Sequence, residues 1–392
     1  MFSKPISLEK LLNFIPAESK PVIFNDSRLG GWGQWAAWDP IDEISLFDGE
    51  DFSSLFKFIN KYAGKFLAGY ISFETGEKIM ELKRPEEPES TVKAASRPAV
   101  HFRAFSDLQA LSLKPDKNYN RTELPKFKPQ LKRSEYGKNF KQIKRFIRQG
   151  EIYQVNYTHE LIAESQLNPR VLFREFSRKN PVAFSAYFED SCWAIHSFSP
   201  ERFIRIKGNV IRTEPIKGTR PRGKNRSSDR NYLNKLLESE KERAELNMII
   251  DLMRNDLGKI CRTGSVEVLE SRSIRKLARV MHTYGIVEGR LKPGIRPAEA
   301  LLSLLPGGSI SGCPKKRALE IILDLEDYQR GIYTGNMGYI LPDGTLDFNI
   351  AIRTIFQSGE KLTLGVGGGI TIDSIEQEEY AETMAKADSF KP

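Results

Sequence analysis

Four glutamates in two pairs, Glu242 with Glu245 and Glu379 with Glu382, are the residues whose type and spacing most clearly could do chemistry. A separation of three returns a helical side chain to the same face, so each pair offers two carboxylates side by side. Glu245 is also in helical register with Met248, Ile249 and Leu252, which places it on the expected buried stripe. A carboxylate facing a core is costly unless a cation or hydrogen bonds offset it. Pairing with lysine or arginine is one offset, and it would make Glu242 and Glu245 structural. A divalent ion is the other. Two helices each presenting carboxylates, in a chain with only four histidines, fit an oxygen-ligated Mg²⁺ completed by substrate oxygens. Lys386 shares the face of Glu379 and Glu382, and a solvated charged face is the plain alternative, expected for Glu376 and Glu378.

Lys217 stands in Glu214-Pro-Ile-Lys-Gly-Thr-Arg220, between an apolar residue and a glycine turn. Desolvation there would lower its pKa and make it a nucleophile. Arg220, Arg222, Lys224, Arg226 and Arg230 follow closely, so a phosphate- or RNA-binding loop competes, although no exposed aromatics interleave them. Gly218 to Asn225 imitates a P-loop but contains Pro221, ends in asparagine and precedes no convincing helix, so ATP binding is not expected. Gly365-Val-Gly-Gly-Gly369 reads as a loop between a strand and a helix, its amides free to approach an anion. Ile370 stands where a dinucleotide fingerprint needs its third glycine.

The positioning elements follow from periodicity. Tyr136, Phe140, Ile143, Phe146 and Ile147 predict a helix over 134–149 with Gly150 beyond its end. From Glu151 to Ala163 the period becomes two, with Tyr153, Val155 and Tyr157 on one face and Gln154 and Asn156 on the other. Strands are expected at 21–24, 66–73, 182–188, 193–197, 202–207, 332–339, 345–355 and 361–364. Helices are expected at 231–257, 296–304, 315–325 and after Ser374-Ile-Glu-Gln377, which reads as a capping box. The stretch 83–129, rich in Pro, Glu, Ser and Lys, reads as a variable connection with one apolar patch at Val100 to Phe105. Clustered strands with helices between clusters predict an α+β fold of antiparallel sheets covered by helices.

Composition narrows the class. With 392 residues, 40% hydrophobic and 28% charged, disorder and coiled coil fall away. A net charge of +9 suits nucleic acid or an enzyme for small anions equally. Cys192, Cys261 and Cys313 form no Cys-x-x-Cys pair, so reduced thiols and a cytoplasmic location are expected. The histidines are scattered, which argues against zinc. Lys4, Glu9 and Lys10 interrupt the start, and no long apolar run occurs, so neither secretion nor membrane spanning is expected.

Taken together, Gly150 to Asn156, Ser199 to Phe203, Pro215 to Arg220, Lys241 to Gly258, Pro306 to Lys315, Ile350 to Thr354 and Gly367 to Lys386 resemble the chorismate-utilising enzymes. That family includes anthranilate synthase, aminodeoxychorismate synthase, isochorismate synthase and salicylate synthase. The resemblance spans Ser134 to Asp388 and implies two antiparallel sheets packed face to face with helices outside. It implies a catalytic region over 126–392, with 1–125 as the family's divergent N-terminal region in the same large fold; in related members that region can hold tryptophan.

Carried over by position, Glu245 and Glu382 would be Mg²⁺ ligands with Glu242 and Glu379 supporting. Tyr333, Arg353 and the backbone at Gly368 and Gly369 would hold the enolpyruvyl carboxylate, and Thr219, His282 and Ser309 would line the ring. Gln154 stands where water-adding members have a basic lysine, which disfavours water as nucleophile. Lys217 resembles the aminodeoxychorismate synthases, where anthranilate synthases usually have alanine. The implied chemistry is amination of chorismate at C4 through a covalent Lys217 adduct with Glu201 as acid and base, in 4-aminobenzoate and folate formation. No glutaminase or lyase signature is present, so a glutamine amidotransferase subunit and a separate aminodeoxychorismate lyase are the expected partners. Anthranilate synthesis is the enzymatic alternative, and RNA binding through 217–230 the remote one.

Overall fold

Phe184, Ala186 and Phe188 alternate along one strand with Ser185 and Tyr187, and all five are buried. A strand buried on both faces needs cover on both. In the computed structural model, which describes residues 5–26, 31–47, 49–82, 97–114, 122–277 and 280–391, the first three side chains face a second sheet and Tyr187 faces helices.

Two ten-stranded antiparallel sheets form the body. The main path of the first runs Gly312–Cys313, Gln154–Glu164, Lys361–Ile370, Thr354–Ser358, Trp193–Ser199, Phe184–Glu189, Val22–Asn25, Gln34–Ala37, Gln109–Ala110. That of the second runs Ile216–Pro221, Val280–Arg290, Val210–Glu214, Arg202–Lys207, Leu346–Ile350, Asn336–Ile340, Phe66–Ile71, Val100–Phe105, Asp42–Leu46. Between the sheets lies an aromatic cluster that includes Phe24, Phe66, Phe184, Phe188 and Tyr339. Leu8–Phe14 and Pro169–Lys179 cover the first sheet, with Phe173 stacked on Tyr187 at 4.8 Å. The helices Arg133–Arg148, Glu240–Ile260, Pro297–Ser303 and Lys315–Leu325 share the largest apolar cluster with the outer residues of the second sheet and with Val155 and Tyr157 of the first. The expected α+β class and its paired antiparallel sheets are therefore observed.

Several local expectations change. The apolar patch at Val100–Phe105 is a fully buried strand paired on both edges, because its six residues serve both faces of the second sheet. Within the expected connection, 83–96 and 115–121 lie outside the described residues, and short strands occupy Gln109–Ala110, Leu113–Lys114 and Lys128–Pro129. The expected helix 231–257 is two helices, Arg226–Glu238 and Glu240–Ile260, divided at Ser239, whose hydroxyl caps the second by accepting from the Glu242 amide. The expected strand 345–355 divides at 351–353, and the expected strand 332–339 begins only at Asn336. The glycine run is not a loop: Lys361–Ile370 is one strand, paired residue by residue with Val155–Glu164. Strands from 22–110 belong to both sheets, so the N-terminal third is woven into the same body. No helix among the described residues is long and apolar enough to cross a membrane.

Candidate active site

The two sheets bring their terminal strands together at one end. Ile216–Pro221 closes the second sheet, and its pairing with Val280–Arg290 slips at Gly218: Lys217 is opposite Thr283 and Thr219 opposite His282. Gly218 has φ +76, and an added Cβ would meet Leu236 at 3.0 Å and the Glu242 carboxyl at 3.1 Å. A bulge of this kind re-aims the neighbouring side chain. Here it sends Lys217 across to the first sheet, where Nζ lies 3.4 Å from the Cβ position that Gly369 leaves empty.

The Gln154 amide crowds the same spot, its Nε2 2.5 Å from that vacant Cβ position. Gln154 is fully buried, and neither amide atom has a hydrogen-bond partner among the described residues. Such an orphan is rare in a folded interior and marks a place where a ligand is wanted. Glu201 is also buried. It accepts from the Ser309 hydroxyl at 2.8 Å and from the Ile216 amide, yet burial still pushes its pKa up to about 7, with Lys217 pulling the other way. A carboxyl that exchanges a proton near neutrality suits acid and base work.

His282 bonds Thr219 Oγ1 at 2.7 Å through Nδ1, and its buried Nε2 has no partner among the described residues. Burial first, then Arg353 and Arg275, push its pKa down to about 3, so it is a neutral imidazole. Arg353 is held at φ +52, and no carboxylate pairs with it among the described residues. An unpaired guanidinium beside a neutral histidine is ready for an anion such as a carboxylate. Tyr333 stands apart: its ring fills the space a Cβ at Gly365 would take, about 13 Å along the strand from Gly369 at the usual rise. Gly368 lies between Lys386 Nζ and the Glu379 carboxyl.

The four glutamates line the facing helices. The buried stripe of Glu240–Ile260 is Leu246, Ile249, Ile250, Met253 and Leu257, one residue round from the expected one, so Glu245 flanks the core half-buried. Burial raises its pKa, opposed by Lys217 and Lys241 and aided by Glu379 and Glu382. Glu242 accepts from Arg220 at 2.6 Å, while its Oε2 is buried and unpartnered among the described residues. Glu379 takes Lys241 at 3.1 Å and Ser374 Oγ at 2.6 Å. Glu382 pairs with Lys386 at 2.9 Å, which lowers its pKa.

An all-carboxylate donor set suits a hard divalent cation, and the orphaned Glu242 oxygen is a ready ligand. No three of the four glutamates bring oxygens within 4.8 Å of one another, and Lys241 and Lys386 hold two of them. The residues fit Mg²⁺ once those lysines yield. Among the described residues only Glu43, His101 and Asp190 converge so closely, and Lys20 and Arg103 already pair both acids there.

Other readings need correction. Ser374 is not an N-cap; its hydroxyl serves Glu379 and the Thr371 amide, and the helix Glu376–Lys386 starts at Ile375 without a side-chain cap. Glu376 is an ion-pair partner of Arg133 at 2.7 Å rather than a purely solvated group. A capped helix does follow Asn225, but Gly218 to Pro221 is strand, so no phosphate-wrapping loop forms. Arg220 and Arg222 are spent on Glu242 and Asp229. Tyr153 precedes its strand and is exposed. Sequence reasoning missed Lys241 as a partner of Glu379 and gave Ser374 a different role, though Lys241, four residues before Glu245, shared its helical face.

The sequence profile described as chorismate binding enzyme matches residues 20–392. The chain is 40% identical over 245 residues to aminodeoxychorismate synthase component 1 of Bacillus subtilis, covering 62% of this chain and 52% of that protein. It is equally 40% identical over 261 residues to an anthranilate synthase component 1 of Haloarcula marismortui, covering 67% and 52%. The match thus spans about half the length of these curated relatives. The fold is similar to a crystal structure of anthranilate synthase component I from Streptococcus pneumoniae, with TM-score 0.79 at 24% identity, over 100% of this chain and 95% of that one.

Proposed function

Because the chain belongs to the family of chorismate binding enzymes, we propose that it aminates chorismate at C4 to give 4-amino-4-deoxychorismate, using ammonia supplied by a glutamine amidotransferase subunit. The observation that carries this reading is the Lys217 amine, aimed by the Gly218 bulge into a chamber it shares with Gln154 and, through their charges, Glu201. The Lys217 amine attacks C2, the electrons of two ring double bonds shift toward C4, and the C4–O bond breaks. Glu201 gives its proton to the departing hydroxyl, which leaves as water. Ammonia then attacks C4, the double bonds shift back, and the C2–N bond breaks to return free Lys217. The new ammonium passes a proton to Glu201 and restores the acid. One difficult displacement becomes two easier ones.

Arg353 and the backbone at Gly369 would hold the enolpyruvyl carboxylate, with Tyr333 toward the far end of the ligand and neutral His282 against the ring. Gln154 offers a carbonyl and an amide but no basic nitrogen, so it can orient ammonia without activating water. Glu245 and Glu382, with Glu242 and Glu379, would hold Mg²⁺, which supplies positive charge against the ring carboxylate. The product would pass to a separate lyase that releases 4-aminobenzoate, in a cytoplasmic route toward folate.

The second reading, amination at C2 to give anthranilate, is favoured by relatives of equal identity bearing that name. Incubation with chorismate, Mg²⁺ and ammonium separates the two. Anthranilate fluorescence without an added lyase overturns C4 amination; 4-aminobenzoate that appears only with lyase supports it. Intact mass of the wild type with chorismate should show an adduct that Lys217→Ala lacks.

A further inference from the structure

The helix Arg133–Arg148 carries Lys138, Lys141, Arg145 and Arg148 at separations of three, four and three, all exposed. They form one stripe, and none has a hydrogen bond or ion pair among the described residues. Beside the stripe an open cleft of about 760 Å³ is lined by Arg133, Ser134, Gly137, Lys138, Lys141 and Glu376. Its one acid, Glu376, is already paired with Arg133. On the same side the turn after the glycine strand exposes Ile372 (52%) and Ile375 (51%). That turn is bolted to the helix by Lys144, whose ammonium donates to the carbonyls of Thr371 at 3.1 Å, Ser374 at 3.0 Å and Ile372. Ser374 in turn holds the Glu379 carboxylate of the site.

Unpaired cations around a cleft, flanked by two bare isoleucines, describe a surface for an acidic protein with an apolar contact point. A nucleic acid fits less well, because the cleft's Glu376 and the exposed Asp373 and Glu378 of the adjoining turn and helix start would repel a continuous phosphate chain. We propose that this face docks the acidic surface of the ammonia-supplying subunit; the proposal rests on the amination reading above. Docking here would press on a turn one residue from Ile370 and two from Gly369, at the back wall of the chamber, and through Ser374 would bear on Glu379.

The test uses the full chain and the purified amidotransferase subunit of the same organism. The variant Lys138→Glu, Lys141→Glu, Arg145→Glu should keep wild-type turnover with ammonium chloride, which also proves that it folds. Its glutamine-dependent turnover and its affinity for the subunit in calorimetry should each fall at least about tenfold, and wild-type affinity should fall as salt rises. Ile375→Asp should show the same split. Wild-type affinity in the triple variant, or no binding by the wild type, overturns the docking surface. So does loss of binding to an RNA oligonucleotide with subunit binding intact. If the wild type fails with ammonium, the amination reading falls instead, and calorimetry alone judges the surface.

Discussion

Two clusters of buried charge, built on neighbouring stretches of chain, behave in opposite ways. In the first, Arg202 forks onto Asp347 at 3.0 and 3.2 Å and also reaches Glu214, whose other oxygen takes Arg275 at 2.7 Å. Every charge has a partner, and Arg202 also lies over the Phe184 ring at 4.9 Å. The second begins one residue away at Glu201 and three residues beyond Glu214 at Lys217. There Gln154, His282 Nε2 and one Glu242 oxygen lack partners among the described residues, and no carboxylate takes Arg353. A closed network contributes rigidity, whereas an open one holds groups in reserve for a ligand. Residues adjacent in the chain thus serve stability and chemistry separately: Glu201 stands just before the strand that Arg202 opens, and Lys217 lies on the strand after the one that ends at Glu214.

The sharpest way to break this contrast is Lys217→Ala. Turnover with ammonium should drop at least about a thousandfold while the melting temperature holds, since the lost amine closes no network. Arg202→Met should do the reverse, losing about 3–5 kcal/mol in denaturant unfolding because Asp347 is left buried without its close cation and Glu214 keeps only Arg275. Equal losses of activity and stability in both variants would erase the distinction.

Glu201→Gln should join the two effects in one residue. Turnover should fall by about 10²–10⁴. The folded pKa of Glu201 stands at about 7 against an ordinary 4.5, so its proton is retained on folding. Between those values the folded state binds more protons than the unfolded, and stability falls as pH rises, levelling off above about 7. The penalty is about 3 kcal/mol, so the glutamine variant should be the more stable protein at pH 8 by up to that amount and no more stable at pH 4. In the wild type, turnover that depends on the protonated acid should decline above pH 7. Lys241→Met should cost less folding stability than Arg202→Met, because the buried Glu379 keeps the Ser374 hydroxyl, but should tighten Mg²⁺ binding in calorimetry by freeing Glu379 from its lysine.

Much of this was legible in the sequence because it depends on local periodicity. The Lys315–Leu325 helix falls where its period placed it, and Gly150 takes the left-handed conformation expected beyond a helix end. The carboxylate pairs could be found because a spacing of three is a property of any helix. What could not be read was tertiary in origin. Glycines at 365, 367 and 369 resemble a loop until Tyr333, Thr158 and Gln154 are seen filling the space beside them. Ser239 breaks a continuous helical pattern because its hydroxyl caps the second helix, a choice that the flanking periodicity does not reveal. The unpaired state of Gln154 and Arg353 is a fact about neighbours distant in sequence, and no spacing rule encodes it.

The three alternate glycines of that strand have an evolutionary corollary. Any substitution there adds atoms, and each would collide within 3 Å of a residue already in place. This wall of the chamber can therefore only move inward under mutation. Descendants of this protein could narrow their choice of ring by a single methyl group here, but a roomier chamber would have to be won on the opposite side, among the helices that carry the glutamates.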